Sequence, residues 1–322
     1  MVTTAPLSSH RAEMDIQWGA ATDVGKVRRL NEDSYLDVPG AFVVADGMGG
    51  HQAGDVASRL TIEAVQVMLS EGLPDVGTIA SLVQRANNSV RAHAGSAGQQ
   101  GMGSTLVGAF VVQNADEESI VIVNVGDSRC YSLVDDLVSQ ITVDHSLVQE
   151  LVDAGEIPPE AAATHPERNV VTRAIGIEDV VAGDFFVLPA LPFVRLLLCS
   201  DGVSGELSAD RLGQILATVD DPAEAADALI AAVLEGRAAD NATAIVVDVR
   251  RTDPPHRSAD DELDVTGPRP TVVLPDPEVT APLSRFPPPS MPLISRVPAA
   301  EVEAPSPIAP AEASIIIDDV PR

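Results

Sequence analysis

Four aspartates stand where strongly apolar stretches begin or end. Asp46 closes the run AFVVA (41–45), Asp201 follows LLLCS (196–200), Asp127 lies within VNVGDSR (123–129), and Asp240 shortly precedes ATAIVV (242–247). Glycine follows two of them directly, as Gly47 and Gly202. A carboxylate taken out of water cannot stay charged without a partner, so several gathered at one end of a sheet either protonate or take up a cation. With oxygen donors only, and no Cys or His cluster at metal-ligand spacing, the ion implied is a hard one such as Mg²⁺ or Mn²⁺. The stretch VADGMGGHQAGDVAS (44–58) sharpens the question, because four of the eight residues after Asp46 are glycine, the residue that loses most conformational freedom on ordering. Backbone there is expected to come close to something small and charged, and Gly47 would let a main-chain carbonyl join an ion's shell. Each Asp-Gly pair reads equally well as a turn, and Asn31, Glu32 and Asp33 as a helix cap or a surface charge cluster. On these residues alone both readings stand.

Elements must exist to bring such distant residues together. Strand-like segments recur at 14–21, 41–45, 105–112, 119–125, 130–134, 139–143, 185–188, 194–199 and 242–249, several joined by short turn signals such as VDDL (134–137). Helical spacing of apolar residues runs over 52–69, 79–94, 146–154, 209–217 and 222–234, the last opened by Asp221 as cap and Pro222 in its first turn. Two helices in a row, then meandering strands, then further helices predict an α+β fold rather than a doubly wound parallel sheet.

The chain has 322 residues and a formal net charge of −28. Residues 251–322 hold 16 of the 25 prolines and one aromatic residue, Phe286, which predicts a disordered, proline-rich acidic tail. Residues 1–12 read as a flexible lead, leaving 13–250 as the folded domain. The tail carries six Arg against twelve Asp and Glu, so most of the acidic excess belongs to the folded part. Such a surface repels nucleic acid and anionic membranes. Cys130 and Cys199 sit inside apolar runs and predict buried thiols in a reducing compartment. No stretch approaches the length of a bilayer span and no signal-peptide segment is present, so a cytoplasmic location is expected.

In order along the chain stand GKVRRLNED (25–33), VADGMGGH (44–51), GMGST (101–105), VNVGDSR (123–129), TVDHS (142–146), HPERN (165–169), CSDGV (199–203) and DNAT (240–243). This series closely resembles the bacterial branch of the metal-dependent type 2C (PPM) serine/threonine protein phosphatases, from about residue 15 to 249. The resemblance implies a four-layer αββα sandwich, two packed antiparallel sheets flanked by helices, with a metal cluster in a cleft at one end. It implies hydrolysis of phosphoserine and phosphothreonine in proteins by a hydroxide bridging two divalent ions, Mn²⁺ or Mg²⁺, reversing the action of bacterial Ser/Thr kinases. Asp46 would bridge the two ions, the Gly47 carbonyl would bind one, and Asp201 and Asp240 would complete the protein ligands. Glu32 and Asp33 would hold metal-bound waters, and Asp127 a third, weaker ion. Arg28 would grip the phosphate, and His51 would donate a proton to the leaving oxygen, the alternative for His51 being a helix-capping role. His145 and His165 would brace the loop and the core. A flap between Gly155 and Gly183 would set substrate choice, and the partners implied are phosphoproteins and a Ser/Thr kinase or its substrates.

Where many bacterial relatives continue into a membrane span, this chain continues into the proline-rich tail, which is expected to dock a protein partner. The sequence LPALP (188–192) replaces the more usual Gly-Asp turn without touching a proposed ligand. Two other functions fit fewer residues. A pseudophosphatase would lack metal ligands that are all present, and a nuclease would need basic or aromatic patches that are missing. A phosphatase dedicated to one regulator of transcription would use the same catalytic residues.

Overall fold

Successive side chains on a strand point to opposite faces, so a strand without polar alternation needs cover on both sides. The computed structural model describes residues 7–10, 14–49, 53–72, 74–113, 118–188, 191–251 and 295–297, and supplies that cover. One sheet has six strands in the order β1 (Leu7–His10), β2 (Met14–Asp23), β12 (Ala242–Arg251), β11 (Phe193–Cys199), β8 (Arg129–Val134) and β9 (Leu137–Gln140). The other runs β13 (Ser295–Val297), β10 (Asp184–Val187), β7 (Glu118–Val125), β6 (Leu106–Gln113), β4 (Ala41–Met48) and β3 (Asp33–Val38), with the short β5 (Gly103–Ser104) paired to β4. All strand pairs are antiparallel.

Alternate residues of one strand feed different cores. In β12, Ile245, Val247 and Val249 enter the core between the sheets, while Ala242, Ala244 and Val246 pack beneath α6 (Ala209–Thr218) and α7 (Pro222–Glu235). In β4, Phe42 and Val44 face the other sheet, and Ala41, Val43 and Ala45 face α1 (Ala53–Ser70) and α2 (Val76–Ala97). The result is the expected four-layer αββα sandwich. Between the layers Trp18 and Phe42 meet at 5.3 Å between ring centroids. The smaller helices are α3 (Leu147–Asp153), α4 (Pro159–Ala162) and the single turn α5 (Asp201–Ser204). No helix among the described residues is long and apolar enough to cross a membrane.

Local signals act as the sequence predicts at several ends. Asp221 caps α7 by accepting from the N–H groups of Ala223 and Glu224. Asp135 and Asp136 take φ of 49° and 63°, the two left-handed residues of a tight hairpin between Val134 and Leu137. Elsewhere the structure departs from expectation. The strand expected over 139–143 ends at Gln140, because the Thr142 hydroxyl takes the Cys130 N–H and turns the chain out of the ladder. Strand β3 carries no apolar run, having only Leu36 buried, and is an edge strand held by its pairing to β4. Strand β1 falls within the lead read as unstructured and β13 within the tail; both pair through backbone at a sheet edge, which composition does not reveal. The rest of the tail lies outside the described residues. Cys130 belongs to the core between the sheets and Cys199 to the core beneath α6 and α7, so the two free thiols face opposite sides of one sheet.

Candidate metal centre

Strands of both sheets deliver their polar ends to one cleft of about 300 Å³. Arg28, Glu32, Asp46, Gly47, Asp127, Asp201 and Asp240 line it, with Met48, Gly49, Thr105, Asn169 and Val171. Asp46 and Gly47 come from the end of β4, Asp127 from the turn between β7 and β8, Asp201 from the start of α5, and Asp240 from the residues leading into β12. Asp33 stands behind them, opposite Asp46 in the β3–β4 register. Every site residue read from the sequence is therefore brought to this end of the sandwich except His51, which lies outside the described residues.

The glycines answer to close packing of backbone. A Cβ on Gly47 would stand 2.0 Å from the Gly54 carbonyl oxygen, and one on Gly54 would stand 2.6 Å from Glu32 Oε1. The end of β4, the start of α1 and the Glu32 carboxylate thus meet without room for a side chain, and the Gly54 N–H donates to Glu32. Gly202 is constrained likewise, with the Asn241 carbonyl oxygen 1.9 Å from where its Cβ would be.

Hydrogen bonds from residues the sequence reading did not single out fix the acids. Asp33 Oδ2 accepts from the Ser200 hydroxyl at 2.8 Å and the Thr243 hydroxyl at 2.7 Å, while its Oδ1 is buried with no hydrogen-bond partner. Asp46 and Thr105 are tied by two bonds of 2.9 Å, the Asp46 N–H to the Thr105 hydroxyl and the Thr105 N–H to the Asp46 carbonyl. Asn241 accepts from the Glu32 N–H and donates to the carbonyls of Val24 and Leu30, folding the 24–32 loop over the cleft. His145 Nδ1 accepts from the Gly126 N–H, and its Nε2 lies 3.3 Å from Asp184 Oδ2, so the ring braces the turn that carries Asp127. Thr105, Ser200, Asn241 and Thr243 all fall inside the motifs GMGST, CSDGV and DNAT, the one signal that could have pointed to them.

Charge in the cleft is lopsided. Burial pushes Asp33 and Asp127 up to about 7, the charges of Asp201 and other acids adding to the rise. Asp46 is held well above the usual carboxylate range by burial and then by Asp33, Asp201, Asp127 and Asp240. Asp201 is raised by burial and by Asp240, a hydrogen bond with Asp46 holding it back. Among the described residues the cation lining the cleft is Arg28, whose guanidinium is 2.8 Å from Asp240 Oδ2 and 3.7 Å from Glu32 Oε2, with its side chain 47% exposed. The residue expected to grip phosphate is here paired with two of the acids. Burial also raises both thiols, Cys199 to about 12, which removes them as nucleophiles.

The donor set fits hard divalent cations. It is all oxygen, it includes the partnerless Asp33 Oδ1, and its acids resist ionising together without added positive charge. Among the described residues no three His, Cys, Asp or Glu side chains are drawn tightly enough to hold an ion by themselves. That suits ions of the Mg²⁺ type, which keep several waters and take few carboxylates, rather than a closed cage of side chains. The flap stands against the same cleft. Asn169 and Val171 line it, Ser146 and Val171 form a bridge, and Asn87 of α2 accepts from the Gly176 N–H at its far end.

A family model described as Protein phosphatase 2C matches residues 28–235. The serine/threonine phosphatase stp of Listeria innocua is 37% identical over 70% of this chain and 93% of its own length. The serine/threonine protein phosphatase PstP of Mycobacterium tuberculosis is 37% identical over 74% of this chain and 46% of its own length. Among solved structures, a crystal structure of the M. tuberculosis PstP/Ppp phosphatase superposes with a TM-score of 0.68 at 36% identity, covering 72% of this chain and 98% of that one. A PstP catalytic domain in complex with two manganese ions superposes at 0.66 with 34% identity, covering 74% and 99%.

Proposed function

The chain belongs to the protein phosphatase 2C family, and from that premise we propose how its cleft performs metal-dependent hydrolysis of phosphoserine and phosphothreonine in proteins. The observation that carries the assignment of residues is the convergence of Asp46, Asp127, Asp201 and Asp240 on one cleft, with Arg28 the cation among its described lining residues. Asp46, Asp201, Asp240 and the Gly47 carbonyl would hold two divalent ions, with Glu32 and Asp33 fixing the waters around them and Asp127 contributing to a third, weaker site. When bound, such ions supply Lewis acidity and bring the pKa of water near neutrality, so that an attacking oxygen is available at physiological pH.

The chain's own residues do the rest. Asp33, gripped on Oδ2 by Ser200 and Thr243, presents Oδ1 as an acceptor that orients a water and receives its proton. Arg28, paired here with Asp240 and Glu32, would turn to the incoming phosphate, two of whose oxygens its fork matches. His51 is the proposed proton donor to the leaving seryl or threonyl oxygen. The flap, whose Asn169 and Val171 line the cleft, selects substrates. We assign the enzyme to the cytoplasm, opposite a Ser/Thr kinase, with residues 251–322 docking a protein partner.

The test is activity of the full chain on a phosphothreonine peptide with added Mn²⁺. Turnover is expected, to be lost on chelation and to fall at least about a thousandfold in Asp46→Asn and Asp240→Asn with the fold retained. Full activity in excess chelator would sink the assignment.

A further inference from the structure

An edge strand presents a row of unpaired backbone N–H and C=O groups, and a protein must cover it, blunt it or use it. The outer edge of β10 is covered by the chain itself. Phe185 stands opposite Val297, Phe186 opposite Arg296 and Val187 opposite Ser295, in antiparallel register. The polarity of that edge follows from its other side. The Leu188 N–H donates to the Ile120 carbonyl in β7, so by the alternation of a strand the N–H groups of Phe186 and Asp184 also point toward β7. Those of Phe185 and Val187 point the other way, toward Val297 and Ser295. These two pairs are therefore the ones that exchange both backbone bonds with the tail segment.

The platform is rigid. Phe185 is buried in the core beneath α1 and α2, Phe186 in the core between the sheets, and Asp184 meets His145 and Arg173. In the sequence Pro292 and Pro298 flank LISRV (293–297).

We propose that the outer edge of β10 is a strand-docking site for a short extended segment, and that residues 295–297 of the same chain are its resident occupant. The specificity lies in backbone pairing in this register. Because β10 directly follows the flap, docking anchors the tail at the flap's base, and whatever the tail carries is held there. The inference does not rest on the reading of the metal centre. Its failure would leave that reading untouched.

Amide hydrogen exchange in the full chain tests it. Replacing Ser295 and Val297 together by Pro removes the two tail donors. Exchange at Phe185 and Val187 is expected to quicken at least tenfold, while Phe186 and Ile122, paired on the β7 side, keep their rates and turnover of a small aryl phosphate is unchanged. A tail held in cis acts at an effective concentration on the order of 1 mM, so tenfold protection corresponds to a Kd of about 0.1 mM for the free segment. A synthetic peptide of residues 291–299, added at about 5 mM to the double-Pro chain, should restore protection at Phe185 and Val187. The same peptide carrying both prolines should not. Equal exchange in the two chains overturns the proposal. So does failure of the native peptide to restore protection, or restoration by both peptides alike.

Discussion

The paired strands β11 and β12 carry buried charge at both ends, and they treat it in opposite ways. At one end Arg195 faces Asp248 across the ladder, donating to Oδ1 at 2.6 Å and Oδ2 at 2.8 Å. The same guanidinium donates to the carbonyls of Leu216, Val219 and Asp220, so every face of it is satisfied and the end of α6 is tied to the sheet. At the other end the same two strands lead to Asp201 and Asp240, which join Asp46, Asp127 and Asp33 in a cluster whose acids outnumber Arg28 and Arg129, the cations that act on them among the described residues. A closed set of charges and donors holds structure and has nothing left to offer a ligand. An open set of acids is unstable by itself and gains from whatever cation enters. The same strand pair thus separates stability from function by where each partner stands.

The comparison breaks first if Arg195 proves dispensable. Arg195→Leu would strand Asp248 and three carbonyls in the interior. Removing one partner of a buried pair costs about 3 to 5 kcal/mol. Urea unfolding should show a loss of that order, with specific activity per folded molecule preserved. A loss under about 1 kcal/mol would mean that water reaches the site and that the two ends differ less than their geometry indicates.

How far these features were legible in the sequence divides along the same line. Strands such as β6, β11 and β12 announce themselves because both faces are buried, and Asp46 and Asp201 are visible as acids at the ends of such runs followed by glycine. What closes around them is not visible. Ser200 and Thr243 reach Asp33 from 167 and 210 positions away, and Arg28 meets Asp240 over 212. No local pattern encodes such meetings. Strand β3 has one buried residue and so no periodic signal, and β1 and β13 are short edge strands of four and three residues in segments whose composition does not mark them. In the sequence Arg195 is a charge within the apolar run 194–199, and only the register shows it opposite Asp248.

A second prediction concerns pH. Asp33 and Asp127 have folded values near 7, well above the 3.8 of a free aspartate, because burial and neighbouring acids favour the neutral form. The folded protein therefore binds more protons than the unfolded chain between about pH 4 and 7. The stability from these groups is present in full below the unfolded value and is lost as pH rises through the folded one. In chelator, the melting temperature should fall by several degrees between pH 5.5 and pH 8. Added Mn²⁺ should reverse the sign of that slope, since an ion binds the ionised acids and displaces their protons. If the chelated protein were most stable at pH 8, the open-cluster description would fail.

The smallest effect is the sharpest, because it works through a residue that touches no ion in the proposed arrangement. Thr243 Oγ1 donates its proton to Asp33 Oδ2, so its 2.8 Å contact with Thr22 must be donated by Thr22. Ser200 Oγ donates to the same carboxylate oxygen while accepting the Thr243 N–H. Both hydroxyls favour the charged form of Asp33, and each opposes the rise that burial imposes. Ser200→Ala or Thr243→Val should raise the Asp33 pKa further and weaken Mn²⁺ activation about tenfold at pH 7, in the range found for groups that orient metal ligands. The deficit should shrink at pH 9, where Asp33 ionises regardless. That recovery distinguishes a change in protonation from a change in shape, since a distorted cleft would remain deficient at every pH. The two ends of the β11–β12 pair differ in the same way. Hydrogen bonds around Asp248 complete a charge that is already paired, whereas those around Asp33 hold one oxygen still and leave the other free to act.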